Sequence, residues 1–157
     1  MSSEKSRYLK RDREPIRPMD FNELLERLPS LGVNRLAEML WSRAQEDDVL
    51  SKVTMVSVAL RTAGDDLKKA ITAVEYALHF PSYVRYTEKG HGQILHEIKS
   101  ELEYLTQHGQ SKFALEVARH AVELGQWVAG NFEDDFDWVS SLKVLSEWVE
   151  EVEAAVH

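Results

Sequence analysis

The stretch QILHEIKSELEYLTQHGQSKFALEVARHAVELGQWVAG, residues 93–130, decides the fold class. Within it Ile94, Ile98, Leu102 and Leu105 recur every three or four residues, the spacing of one apolar helix face. His108-Gly109 then ends that helix, because glycine after the C-cap adopts the left-handed conformation without steric cost. Phe113, Val117, Ala121, Leu124 and Val128 resume a second helical stripe almost at once. So short a connection predicts two antiparallel helices packed side by side.

Toward the C-terminus, Gly130 and the acidic stretch Asn131 to Asp135 separate this pair from a last helix. There Trp138, Leu142, Leu145, Val149, Val152 and Val156 form a core-facing stripe, with Trp148 beside it and Glu147, Glu150, Glu151 and Glu153 on a solvated face. Toward the N-terminus, Asp66 opens a helix marked by Leu67, Ile71, Val74 and Leu78, preceded by Gly64-Asp65. Asp47 or Asp48 caps the helix before it, in which Leu50, Val53, Val56 or Val58, and Leu60 are expected to be buried. Asp20 with Glu23 reads as a capping box for a first helix running to about Leu28. Pro29, Ser30 and Gly32 break it, and Val33, Leu36, Met39 and Leu40 start another that ends near Glu46. The prediction is an all-α fold of about seven helices in antiparallel hairpins, as a helical bundle or a short tetratricopeptide-like solenoid. Residues 1–18 read as a flexible basic N-terminal arm and 19–157 as a single α-helical domain.

Charge is spread unevenly along the 157 residues: the total is -8, with six Lys/Arg against three Asp/Glu in Met1 to Arg17 and one against eight in Asn131 to His157. An acidic body repels a phosphate backbone, so any nucleic-acid binding falls to the arm, with Lys10, Arg11, Arg13 and Arg17 as the candidate contacts. No apolar run approaches the ~20 residues that span a bilayer, and the N-terminus has no apolar signal core. The expected location is therefore cytoplasmic, with no membrane contact.

The motifs that carry chemistry are missing their essential parts. With no cysteine there is no disulfide, thiolate zinc site or cysteine nucleophile. His91, His96, His108 and His120 lack the i, i+4 spacing of a helical zinc site, and His96-Glu97 is followed by Ile98, Lys99 and Ser100 where a metalloprotease needs its second histidine. A calcium loop starting at Asn131 would need Gly and Glu where Phe136 and Leu142 stand, so Asp134 or Asp135 is read as a cap for the last helix. Ser2 with Lys5 and Ser140 with Lys143 match SxxK without its companion elements, and no carboxylate falls in an apolar stripe. No metal, cofactor or catalytic residue is predicted. The connector His79 to Gly92 is the most distinctive stretch, because Phe80, Tyr83 and Tyr86 with Arg85 are residue types that anchor protein interfaces.

From about Leu31 to Val152 the chain resembles a helical region found in bacterial proteins beside a SWIM zinc finger, and related helical domains of unknown function. The residues that carry the resemblance are Asp66-Leu67-Lys68-Lys69-Ala70 at a helix start, and Tyr83-Val84-Arg85-Tyr86, in which Arg85 replaces the family's acid. Leu105, Gly109, Ala114, Val117 and Ala121 follow its helix, turn and alanine-rich helix, and Glu133-Asp134-Asp135 with Asp137 its acidic turn. The finger's own ligands are absent. The resemblance implies a stack of helical hairpins that serves interaction. The expectation is a non-enzymatic protein-interaction or scaffold module with Phe80, Tyr83, Arg85 and Tyr86 at its partner site; the alternative is a nucleic-acid-associated regulator acting through the basic arm.

Overall fold

The computed structural model describes residues 16–79, 91–130 and 136–156. Among these it is all-α, with no strand. The helices are α1 (Phe21–Arg27), a 3-10 turn (Leu28–Leu31), α2 (Val33–Ala44), α3 (Asp48–Thr62), α4 (Leu67–Ala77), α5 (His91–Gln107), α6 (Ser111–Ala129) and α7 (Phe136–Val156). Packing divides the chain into two units, Met1–Leu40 and Trp41–His157, a division that the change in composition at Pro18 does not mark.

In the first unit the Asp20 side chain accepts from the amide of Glu23 at 2.8 Å and so caps α1. Pro29 is accommodated at the start of the 3-10 turn, and Gly32, at φ 83°, redirects the chain into α2. No residue of α1 is buried.

The second unit is built in three layers. The α5–α6 hairpin lies in the middle, α7 packs over both of its helices, and the α3–α4 hairpin covers the other side, with α3 on α5 and α4 on α6. The sequence sets these elements locally. Asp47 caps α3 by accepting from the Leu50 amide at 3.1 Å, and Asp66 caps α4 through the Lys69 amide at 3.2 Å. Gly109 sits at φ 81°, and the Gln110 amide donates to the Leu105 carbonyl at 2.9 Å, completing the C-terminal motif between α5 and α6.

The core contains Ile94, Ile98, Leu102 and Leu105 of α5, Val117, Ala121 and Val128 of α6, and Trp138, Leu142, Leu145, Val149 and Val152 of α7. A middle layer must be apolar on two sides, so α5 and α6 bury Leu95, Leu115 and Ala118 in addition to the single stripe that spacing predicts. Two glycines set the close approach of α7. A Cβ at Gly92 would lie 2.7 Å from the Asp137 carbonyl oxygen, and one at Gly125 would lie 2.6 Å from Leu142 Cδ1. Gly125 also accepts from Trp138 Nε1 at 3.2 Å, which satisfies the indole of a fully buried ring.

Two local expectations are corrected and one open alternative is resolved. The α5 helix starts at His91, inside the stretch read as a connector, and both His91 and Gly92 are buried. Of the two valines left open in α3, Val56 enters the core and Val58 faces outward. Glu101 is buried although spacing puts no carboxylate in an apolar stripe, because α3 covers it and supplies Arg61 as its partner, with Nε 2.6 Å from Oε2.

Candidate docking groove

The α3 helix carries a second apolar stripe as well as the one it buries. Met55, Val58, Ala59 and Thr62 follow the i, i+3, i+4, i+7 spacing on its outer side, and Lys69, Thr72, Ala73 and Tyr76 repeat that spacing on α4. Together with Thr54 and Trp41 they line an open groove of about 620 Å³. Trp41, Met55, Val58 and Tyr76 are its large residues, between 42% and 57% exposed, whereas the core-facing Val56, Leu60 and Val74 are fully covered.

The polar atoms of the groove are largely spent within the helices themselves. Thr54 Oγ1 donates to the Leu50 carbonyl at 2.7 Å, Thr62 Oγ1 to Val58 at 2.7 Å, and Thr72 Oγ1 to Lys68 at 2.8 Å. Each hydroxyl is turned back on its own helix, which leaves methyl groups to line the groove. Charge collects at the N-terminal end of α4, where Asp66, Lys68, Lys69 and Thr72 border an adjoining pocket of about 250 Å³. The surface is therefore an apolar trough with lysines at one end.

Polar contacts at both ends hold the hairpin that carries the groove. At its open end Lys52, buried in α3, donates from Nζ to the His79 carbonyl at 2.6 Å and lies 3.6 Å from Asp48. Burial lowers the Lys52 ammonium from its ordinary value of 10.5, and Asp48 partly restores it. At the turn, Gln110 Nε2 donates to the Gly64 carbonyl at 2.7 Å. Between them, the Arg61 guanidinium stacks 3.9 Å over Tyr104 while it pairs with Glu101. The bond to Glu101 raises Arg61 above its usual value against the opposing pull of burial. His120 of α6, with Nε2 3.1 Å from Glu75 Oε1, ties α4 down.

Phe80, Tyr83, Arg85 and Tyr86 lie outside the described residues, as do Lys10, Arg11, Arg13, Glu133, Asp134 and Asp135. Arg17 is exposed ahead of α1, and Asp137 is exposed in the first turn of α7. His108 Nδ1 is 2.7 Å from the Tyr104 carbonyl. Among the described residues no three His, Asp or Glu side chains gather in a way that could hold a metal ion. None of the described helices is long and apolar enough to cross a membrane.

Met55, Tyr76 and Trp41 are the residues that sequence reading passed over, and Val58 it left between core and surface. The signal for them is the doubled stripe: α3 is apolar on two opposite sides, the pattern of a helix with partners on both. No protein-family model, curated protein or solved structure matches the chain.

Proposed function

We propose that this chain is an α-helical protein-interaction module whose α3–α4 groove receives an amphipathic helix of a partner protein. The observation that carries the reading is the placement of Trp41, Met55, Val58 and Tyr76, all substantially exposed, around a trough whose threonine hydroxyls are already bonded. A small polar metabolite needs converging polar groups to orient it, and these walls supply few. A helix needs apolar area at helical spacing, which Met55, Val58 and Ala59 of α3 supply together with Ala73 and Tyr76 of α4. Lys68 and Lys69 at one end select a partner helix with acidic residues at the matching end, and so fix its direction in the groove.

The test is a photo-crosslinking amino acid in place of Val58 in the full-length chain, expressed in its native host, with the crosslinked peptide sequenced by mass spectrometry. The expected product is one protein segment with apolar residues at helical spacing and acids at one end, lost when Tyr76→Glu is added. Crosslinks spread over unrelated segments, or unchanged by Tyr76→Glu, would reject the groove.

A further inference from the structure

The chain has no cysteine, so the thioethers of its four methionines are its only sulfur. Met55 lines the α3–α4 groove together with Trp41, Val58, Ala59 and Tyr76, and it is 42% exposed. The helix sets its place there: Val56 and Leu60 of α3 enter the core and are fully covered, which turns Met55 and Val58 outward. The neighbouring hydroxyls of Thr54 and Thr62 already donate to helix carbonyls at 2.7 Å, so these residues present methyl groups to the groove. A thioether suits such a wall because it is apolar and adapts its shape to what docks on it. It is also a side chain that a peroxide turns polar.

We infer that Met55 is an oxidation site at which hydrogen peroxide closes the groove to its partner helix, an inference that rests on the groove being the docking surface. In the step a lone pair of the Met55 sulfur attacks one oxygen of the peroxide. The S–O bond forms as the O–O bond breaks, the second oxygen takes the proton and leaves as water, and the thioether, oxidised by two electrons, becomes a sulfoxide. Beneath a docked apolar helix face the sulfoxide oxygen loses its water and gains no donor from Thr54 or Thr62, whose hydroxyls are already bonded. Burying a polar group without a partner costs enough to weaken binding about tenfold or more. The fold stays intact, because Met55 belongs to the outer side of α3 while Val56 and Leu60 hold its core side. A thiol-dependent reductase reverses the step: two thiols become a disulfide, the oxygen leaves as water and the thioether returns.

The experiment is calorimetric titration of the full-length natural chain and of Met55→Leu, each before and after hydrogen peroxide treatment, with the synthetic peptide that crosslinks to position 58. The peptide itself is never oxidised, and leucine keeps the volume and apolar character of Met55, so the groove sulfur alone differs. Peptide mapping is expected to show one added oxygen on Met55. Binding to the treated natural chain falls about tenfold or more, and methionine sulfoxide reductase with a dithiol restores it. Met55→Leu binds equally before and after treatment, although Met19 and Met39 are still present to be oxidised. Far-UV circular dichroism stays the same throughout. Unchanged affinity of the treated natural chain would overturn the inference, as would an equal loss in Met55→Leu or a Met55 that peroxide leaves unoxidised. If no segment crosslinks at position 58, the groove reading fails and this inference falls with it; if one does and oxidation changes nothing, this inference alone fails.

Discussion

Lys52 is a cation held in the interior, and its cost depends on pH in a calculable direction. Burial lowers its folded-state pKa below 10.5 while the unfolded chain keeps the ordinary value, so between the two the unfolded state binds more protons. Native stability therefore rises with pH across that alkaline window, and the full cost of burying the charge is present below it. The difference in unfolding free energy between the natural chain and Lys52→Met should accordingly climb as pH approaches 10.5 and stay level from neutral pH downward. Urea denaturation of both proteins over a pH series measures it; a difference that falls with pH would contradict the assignment. The glycines at α7 make a second prediction at this scale. The neighbour of a Gly92 Cβ is the backbone of Asp137, which cannot turn aside, so Gly92→Ala should cost ~1–3 kcal/mol. At Gly125 the neighbour is a rotatable Leu142 methyl, and alanine recovers ~0.5–1 kcal/mol of helix propensity, so Gly125→Ala should cost less. Thermal unfolding of the two variants ranks them.

Among the elements, α7 was the most readable, since an outer helix buries one side and a single stripe from Trp138 to Val152 describes that side completely. The caps at Asp20 and Asp66 and the turn at Gly109 were equally legible, and the α3 cap was narrowed to Asp47 or Asp48, because each depends on chemistry within a few residues. Burial that depends on which helix lies opposite was not. Leu115 is off the stripe of α6, and only the middle position of that hairpin covers it. Glu101 and Lys52 are buried by partners distant in sequence, at Arg61 and at the His79 carbonyl. If that layering is right, Leu115→Ala should destabilise by ~2–5 kcal/mol, as much as Leu102→Ala on the predicted stripe of α5. Chemical denaturation decides this, and a cost under about 1 kcal/mol would place Leu115 at a surface. The groove stayed hidden for a related reason: α3 carries apolar residues on its outer side as well as its core side, and spacing alone does not say which side another helix takes.

At the scale of the whole molecule, the α3–α4 groove is the surface whose chemistry selects a partner. That groove is apolar with lysines at one end, the chemistry that an amphipathic, partly acidic helix complements. The central claim concerns the groove, where interface anchors of this kind contribute ~2 kcal/mol or more each. The most direct test is calorimetric titration of the full-length chain and its Val58→Glu variant with the synthetic peptide identified by crosslinking at position 58. The account predicts binding with a negative heat-capacity change, the mark of apolar burial, and an affinity about 30-fold weaker or worse for Val58→Glu. Equal affinity for the two proteins, or binding with no heat-capacity change, would contradict it.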